Sequence, residues 1–274
     1  MIEEFLKRGP VTQWNIGNYS VLDQPRVLRY LFHPRFGNGY RPVQSNREDI
    51  MIRADEGVYL SAAFHFVRHD APLLLFFHGN GEIVSDYDDF ARFYNGIDLN
   101  FLVVDYRGYG QSSGTPTVTS MIRDCHTVFD FVTTYRQKKK LTGPFCVMGR
   151  SLGSAPAVEL GSTRSDNFDC LIIESGFARI SPLLRKLGVD PYLIGFKEGQ
   201  GDENIDKIKT YSNPCLVIHA EFDHIIPFSE GKALFDACGS SSKTFLEIKG
   251  ADHNDIFFKG MASYLGHIKE ICHA

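Results

Sequence analysis

A single serine stands between two glycines in the stretch FCVMGRSLGSAPAVEL, residues 145–160. The apolar run before Gly149 predicts a buried strand, and the residues after Gly153 predict a helix. A G-x-S-x-G sequence at a strand-to-helix turn is typical of a nucleophile elbow. Ser151 is therefore our candidate nucleophile, and glycines are expected at both places because side chains there would collide with neighbouring backbone. Taken alone, the string could also be an ordinary turn.

A serine hydroxyl becomes a strong nucleophile only when a base accepts its proton. Of the ten histidines, His253 has the most suitable place, on a loop between the last predicted strand and the last predicted helix. That place agrees with the chain order serine, acid, histidine. His65, His69 and His219 lie in or beside predicted strands, and we interpret them as structural residues.

The carboxylate partner of His253 should follow a strand that lies between the serine and the histidine in the chain. Asp223 comes soon after the apolar run 215–219 and is our candidate. A carboxylate there can fix the imidazole tautomer and stabilise the imidazolium that forms during reaction. Glu174, in the apolar run 171–175, is the alternative acid. A structural role for Asp223, in an Asx turn or a helix cap, also stays open.

Acyl transfer needs two N–H groups that stabilise the developing oxyanion. The N–H of Leu152 directly follows the nucleophile, at the start of the predicted helix. The loop HGNG after the apolar run 73–77 is expected to supply the second donor, and we choose Asn80 over Gly81. His78 in the same loop is interpreted as a residue that organises the loop.

Strand-like and helical patterns alternate along most of the chain and predict the elements that hold these residues. The apolar runs have little polar alternation, which favours parallel strands covered by helices on both faces. The order predicts a doubly wound α/β sheet with right-handed crossovers. The predicted strands are two within 48–67 and one each at 73–77, 101–105, 145–149, 171–175, 215–219 and 244–248; the predicted helices are 87–95, 117–136, 152–161, 229–237 and 255–272.

Length and pattern predict a single α/β domain over residues 1–274. Two segments fall outside the alternation of strands and helices. Residues 1–47, rich in Pro, Gly, Arg and aromatic residues, are expected to wrap the edge of the sheet. Residues 176–213 contain several apolar residues and are a possible lid insertion or pocket wall, with a plain pair of surface helices as the alternative.

Composition narrows the classes of function. The net charge of −4 argues against a nucleic-acid partner, because no basic excess is present to offset phosphate. No apolar stretch reaches membrane-spanning length and no signal peptide is evident, so we expect a cytoplasmic protein. The six cysteines have no C-x-x-C spacing and agree with a reducing compartment. Because no H-E-x-x-H or comparable spacing occurs, we expect neither a metal nor another cofactor.

Five motifs, HGNG, DYRGYGQSSG, GRSLGSAPA, EFDHIIP and GADHND, resemble those of the α/β-hydrolase superfamily in order and spacing, over about residues 50–270. Within the superfamily the chain is most similar to the compact serine-hydrolase branch of esterases and serine aminopeptidases. The resemblance implies a three-layer sandwich around an eight-stranded, mostly parallel sheet. It also implies a nucleophile, acid and base at Ser151, Asp223 and His253, with oxyanion donors at Asn80 and Leu152.

These inferences predict a cofactor-free serine hydrolase that cleaves a carboxylic ester, or a related acyl bond, through an acyl-enzyme intermediate. The apolar residues of the possible lid favour a small-molecule acyl substrate with an apolar group. A thioesterase, an amidase or a peptidase would use the same residues, so these reactions stay open. A non-catalytic binding protein on the same scaffold is the remaining alternative, although all three candidate residues are present. Arg150, next to Ser151, has no role in this interpretation.

Overall fold

The computed structural model describes residues 14, 16–37, 45–197 and 203–274. The strands are β1 (Arg47–Asp55), β2 (Val58–His65), β3 (Leu73–Phe77), β4 (Asn100–Val104), β5 (Phe145–Arg150), β6 (Cys170–Glu174), β7 (Cys215–Ala220) and β8 (Lys243–Ile248). The helices are α1 (Pro25–Leu31), α2 (Ala91–Gly96), α3 (Val118–Lys139), α4 (Ser154–Arg164), α5 (Ile180–Lys186), α6 (Pro191–Ile194), α7 (Asn204–Lys207), α8 (Phe228–Ala237) and α9 (Ile256–Cys272).

The eight strands form one sheet in the order β1-β2-β4-β3-β5-β6-β7-β8. β2 is antiparallel to both of its neighbours, β1 and β4, and the remaining neighbouring pairs are parallel. The predicted eight-stranded, mostly parallel sheet is therefore confirmed. Each apolar run identified in the sequence is a strand whose ends lie within a residue or two of the expected positions.

Both faces of the sheet are covered because alternate residues of a strand project to opposite sides. In β3, Leu73, Leu75 and Phe77 belong to the hydrophobic core shared with α3, α4 and α8. Leu74 and Phe76, on the other face, belong to the core shared with α2 and α9. Every residue of β3 to β7 except Arg150 is buried, which explains why these strands read as continuous apolar runs.

The predicted helix over 87–95 is wrong in its bounds. A 3₁₀ turn at Val84–Tyr87 precedes the shorter helix α2. The separate turn begins where the carboxylate of Asp86 accepts a hydrogen bond from the N–H of Ile83, at 3.0 Å. A side-chain cap of this kind starts a new helical turn rather than continuing an existing one.

The described part of the N-terminal segment packs beside the possible lid. The amide of Gln24 donates to the carbonyl of Ile194 at 2.9 Å, and the carboxylate of Asp23 accepts from the N–H of Val118 at the start of α3. Residues 1–13, 15 and 38–44 of the predicted edge segment, and 198–202 of the possible lid, lie outside the described residues. The division of the chain into these segments stays a prediction.

Candidate active site

The turn after β5 holds Ser151 in a left-handed backbone conformation, with φ at +53°. A non-glycine residue in this region is strained, and such strain is concentrated at functional sites. The glycines on either side are required by close packing. A Cβ on Gly149 would lie 2.1 Å from the carbonyl oxygen of Gly153, and a Cβ on Gly153 would lie 2.0 Å from that of Phe77. The string is therefore a sharp strand-to-helix turn, as the sequence predicts.

Ser151, His253 and Asp223 form a continuous series of hydrogen bonds. The Oγ of Ser151 lies 3.0 Å from Nε2 of His253, and Nδ1 of the same ring lies 2.7 Å from Oδ2 of Asp223. All three residues are buried, with exposed fractions of 8%, 4% and 8% for Ser151, His253 and Asp223. They meet because the loops after β5, β7 and β8 leave the sheet at the same edge.

The two oxygens of Asp223 have different partners. While Oδ2 faces His253, Oδ1 accepts the backbone N–H groups of Ile225 and Ile226 at 2.9 and 2.7 Å. The Asx turn and the contact with the histidine therefore coexist. Burial alone would raise the pKa of Asp223, but the hydrogen bonds from His253 and from the Ile226 N–H hold it below its usual value. The carboxylate is thus ionised at neutral pH.

Glu174, the alternative acid, has other partners. Its Oε2 accepts the hydroxyl of Tyr264 at 2.7 Å, and its Oε1 accepts a guanidinium N–H of Arg150 at 3.1 Å. Burial raises the pKa of Glu174, and the charge of Arg150 offsets only part of that effect. Among the hydrogen bonds of the described ranges, the ring of His253 pairs with Asp223 and not with Glu174.

Arg150 connects two loops and the end of β6 around Ser151. Its Nε donates to Glu82 at 2.9 Å, its Nη1 to Glu174 at 3.1 Å, and its Nη2 to the carbonyl of His253 at 3.0 Å. Burial would lower the pKa of Arg150, but the carboxylates of Glu82 and Glu174 raise it, so the side chain stays charged. This role was not predicted from the sequence, although Arg150 directly precedes Ser151.

Glu82 extends the same network to the HGNG loop. Its Oε2 accepts the backbone N–H of Gly79 at 2.7 Å and the hydroxyl of Tyr87 at 2.5 Å. Burial would raise the pKa of Glu82, but the charge of Arg150 holds it below its usual value. Arg150 therefore fixes the histidine loop and the HGNG loop relative to the serine turn.

We expect Arg150→Met to lower kcat by about a hundredfold with little change in KM. Without the contact to the His253 carbonyl, the imidazole can shift relative to the Ser151 hydroxyl, and displacements on the order of 1 Å have costs of this size. Steady-state kinetics with an ester substrate, beside a thermal melt, measures both effects.

The single variant also removes the arginine charge from the buried carboxylate of Glu174 and from the half-buried carboxylate of Glu82. Loss of one partner of a buried ion pair destabilises proteins by about 3–5 kcal/mol. The control is Arg150→Met combined with Glu82→Gln and Glu174→Gln, which removes the unpaired charges. Stability should return in this triple variant while kcat stays low. Recovery of kcat together with stability would show that Arg150 does not position the histidine.

The proposed oxyanion donors lie beside the serine. Asn80 and Leu152 line the same cavity as Ser151. The side chain of Asn80 fixes its loop: its Nδ2 donates to the carbonyl of Leu31 at 3.0 Å, and its Oδ1 accepts the hydroxyl of Tyr109 at 2.6 Å.

His78, His219 and Arg107, which lies in the DYRGYGQSSG motif, have structural contacts. The Nδ1 of His78 lies 2.8 Å from the carbonyl oxygen of Gly79, as expected of a residue that organises its loop. Arg107 makes two hydrogen bonds to Asp124, at 2.6 and 2.7 Å, so it acts as a brace. His219 is buried with its Nε2 3.0 Å from the carbonyl oxygen of Ile226.

A cavity of about 150 Å³ opens beside Ser151. Its walls are mostly apolar and come from the N-terminal segment, from α3 and from the possible lid. The N-terminal residues contribute to this wall, a role that the sequence analysis did not predict. Apolar residues that line the cavity include Val21, Leu22, Leu31, Phe32, Val118, Met121, Ile122, Ala155, Phe177, Ile180, Leu183, Leu187, Phe196, Ile225 and Ile226.

The cavity also has a polar part. The ammonium of Lys207, which lines it, lies 2.7 Å from Oε2 of Glu159 and contacts the hydroxyl of Tyr19. Oε1 of the same carboxylate lies 3.1 Å from Nε2 of His126. Burial would lower the pKa of Lys207, but the charge of Glu159 keeps it above its usual value. These charges are therefore compensated within the protein.

The chain is similar in sequence to one family model and to known proteins. A family model described as serine aminopeptidase, S33, matches residues 68–193. Protein bem46 of Schizosaccharomyces pombe is 30% identical over 208 residues, which are 71% of this chain and 67% of bem46. The human alpha/beta hydrolase domain-containing protein 17B is 30% identical over 234 residues, which are 81% of this chain and 74% of the human protein.

Solved structures share the fold. The Pyrococcus furiosus esterase Pf2001 superimposes with a TM-score of 0.70 at 16% identity, covering 87% of this chain and 97% of the esterase. Est1E from Butyrivibrio proteoclasticus gives a TM-score of 0.64 at 16% identity, covering 81% of this chain and 96% of Est1E. In the described ranges, no helix has both the length and the apolar composition that crossing a bilayer requires.

Proposed function

The chain belongs to the α/β-hydrolase family, and on that basis we propose that it is a serine hydrolase that cleaves a carboxylic ester, or a related acyl bond, through an acyl-enzyme intermediate. The observation that carries the proposal is the series of hydrogen bonds from Ser151 through His253 to Asp223 beside an apolar cavity. Nucleophile, base and orienting carboxylate in this arrangement are the requirements for activating a serine hydroxyl.

In the first half of the reaction, the Oγ of Ser151 attacks the substrate carbonyl while Nε2 of His253 accepts the hydroxyl proton. Asp223 holds the proton on Nδ1 and stabilises the imidazolium. The oxyanion of the tetrahedral intermediate accepts the backbone N–H groups of Asn80 and Leu152. The imidazolium then protonates the leaving alcohol, and the acyl group stays on Ser151.

In the second half, water takes the place of the alcohol. His253 accepts a proton from the water molecule, which attacks the acyl-enzyme carbonyl, and the same two N–H groups stabilise the second oxyanion. Collapse of this intermediate releases the carboxylic acid, and the proton returns to Ser151. No cofactor takes part in these steps.

The cavity supports an apolar acyl group as the part of the substrate that is recognised. Its walls are largely aliphatic and aromatic, and Ser151 lies on its lining. A methylene that leaves water for such a surface gains about 0.8 kcal/mol. We therefore propose small-molecule acyl substrates with an apolar chain, and no nucleic-acid partner, since the net charge is −4.

A series of p-nitrophenyl esters with acyl chains of increasing length tests this substrate class. We expect kcat/KM to rise by about fourfold per added methylene until the cavity is full, because 0.8 kcal/mol corresponds to that factor. Leu187→Trp, which narrows the cavity from the lid side, should move the optimum to shorter chains. A maximum at acetate with a steady decline in both proteins would contradict an acyl-binding cavity.

The bond that is cleaved is a separate question. The amide bond of an aminoacyl substrate is the second candidate, because the matching family model carries a serine aminopeptidase description. Thioesters follow the same acyl-enzyme chemistry. Ester, thioester and aminoacyl amide substrates with one common acyl group, compared by kcat/KM, identify the reaction, since the cavity contributes equally to all three.

We also infer that the protein works in a reducing compartment such as the cytoplasm. All six cysteines are buried and free. Structural disulfides are typical of oxidising compartments, so six unpaired thiols support the cytoplasmic location expected from the sequence.

A further inference from the structure

Three cysteines lie together near the amino ends of the central strands, away from the candidate active site. Cys146 of β5 and Cys170 of β6 are register partners in neighbouring parallel strands, so their side chains project from the same face. Cys272 is the last residue of α9, which packs on that face. The three sulfur atoms lie within 4.8 Å of one another, and those of Cys170 and Cys272 are 4.0 Å apart.

The surroundings of this three-thiol cluster are apolar. Cys146, Cys170 and Cys272 are 0%, 1% and 1% exposed, and they belong to the core between the sheet and α9. Within the part of the chain that the structure describes, no histidine or carboxylate joins the group as a fourth ligand. Any ion held here is therefore coordinated by three sulfurs.

The spacing of the sulfurs fits a three-coordinate ion. A trivalent ion that keeps a lone pair binds three sulfurs in a pyramid. With bonds of about 2.3 Å and angles of about 100°, the sulfurs lie about 3.5 Å apart. The sulfurs of Cys170 and Cys272, now 4.0 Å apart, must approach by about 0.5 Å. Since all three sulfurs lie within 4.8 Å of one another, no pair must approach by more than about 1.3 Å.

Charge decides which ion suits an apolar core, because an uncompensated buried charge is costly. Three thiolates around a cuprous ion carry two net negative charges, and around a divalent ion they carry one. Around a trivalent ion the group is neutral. We propose that Cys146, Cys170 and Cys272 form a binding site for a trivalent thiophilic species, for which arsenite is the probe.

The binding reaction is balanced without an oxidant. Arsenous acid carries three hydroxyl groups on arsenic, and each As–O bond is exchanged for an As–S bond. Each thiol proton leaves with a hydroxyl group as water, and the oxidation states of arsenic and sulfur stay the same.

The position of Cys272 gives arsenite access to the three-thiol cluster and determines how binding affects stability. It ends α9, and helix ends open more readily than the core, which gives the probe access without global unfolding. α9 begins at Ile256, three residues after His253. Binding would therefore tie the helix that follows the histidine loop to β5 and β6, and should raise the melting temperature.

The test is a titration of the folded full-length protein with arsenite. Native mass spectrometry should show one added arsenic atom and the loss of three protons, with a rise in Tm. X-ray absorption of the complex should show three sulfur neighbours around arsenic. No binding at micromolar arsenite, or two sulfurs with one oxygen around arsenic, would overturn the proposal.

The chain offers matched controls. Cys272→Ser should weaken arsenite binding by about a hundredfold or more, because the third intramolecular ligand is lost. Cys125→Ser, which removes a buried thiol outside the cluster, should leave binding unchanged.

The hydrogen-bonded pair Cys215 and Cys238 is a second place where two thiols meet. Replacing both by serine should also leave one arsenic bound, and loss of binding there would overturn the assignment. The absorption measurement on the unmodified protein decides the question even if Cys272→Ser fails to fold.

Discussion

Ser151→Ala should reduce kcat for ester hydrolysis by about a millionfold, because removing the nucleophile of such a group abolishes acyl-enzyme formation. It should also abolish covalent labelling by a fluorophosphonate, which reacts with serine only when a base activates it. Any residual rate should come from the oxyanion donors and from substrate binding, which still favour attack by water.

The measurement pairs fluorophosphonate labelling, detected by mass spectrometry, with hydrolysis of the preferred ester. Ser162→Ala is the matched control, since Ser162 lies on the helix that follows the turn and donates to the carbonyl of Glu159. This variant should keep both labelling and turnover. Melting curves for the two variants exclude unfolding as the cause of any loss.

Two results would count against the enzyme proposal. If Ser151→Ala kept its label, the reactive residue would be another one. If the folded wild-type protein reacted with no fluorophosphonate from about pH 7 to pH 9, above the usual pKa of a free imidazole, the serine would not be activated. The second outcome would favour a non-catalytic binding protein on the same scaffold.

The positions of Ser151, Asp223 and His253 could be predicted because they follow from local patterns. Each lies on a loop after a strand that is identifiable as an apolar run, and the carboxyl ends of parallel strands meet at one edge of the sheet. The parallel pairing of β5 with β6 and of β7 with β8 brings the ends of these strands to the same edge of the sheet. Residues on the loops that follow the strands are therefore in contact. A single sequence was sufficient for this step because buried parallel strands are among the clearest patterns.

The role of Arg150 could not be predicted because its partners come from three separate places in the chain, two loops and the end of β6. Glu82, Glu174 and the His253 carbonyl are distant in sequence, and only the closed sheet brings them to one guanidinium. The charge of Arg150 and its place beside Ser151 are visible in the sequence, but a position on the protein surface would explain both. Its 12% side-chain exposure in the structure is what rules out that explanation.

The cavity wall was missed for a related reason. Residues 16–37 have no strong periodicity, and their placement depends on long-range contacts such as that of Asp23 with the start of α3.

The three-thiol cluster could not be predicted from the sequence either, because its cysteines are far apart in the chain. It arises from the pairing of β5 with β6 and from the length of α9, neither of which a local pattern fixes.

Asp223→Asn should lower kcat by about ten-thousandfold. The contacts of Asp223 explain why an asparagine at this position should have so large an effect. Oδ1 of Asp223 accepts two backbone N–H groups, from Ile225 and Ile226. An asparagine amide must keep its carbonyl oxygen toward these donors, so its NH₂ group faces Nδ1 of His253. That nitrogen then becomes an acceptor, and the ring proton moves to Nε2, where it prevents the ring from accepting the proton of Ser151.

Glu174→Gln is the comparison that separates the two acids. The carboxylate of Glu174 contacts Arg150 and Tyr264, so we expect a loss of less than about tenfold in kcat, through loosening of the arginine. Nitrogen NMR of the imidazole should show the Nδ1-protonated tautomer in the wild type and in Glu174→Gln, and the Nε2-protonated tautomer in Asp223→Asn. If Glu174→Gln lost activity and Asp223→Asn retained it, the acid would be Glu174. If Asp223→Asn lost activity with an unchanged tautomer, Asp223 would act by its charge on the imidazolium rather than by holding the proton on Nδ1.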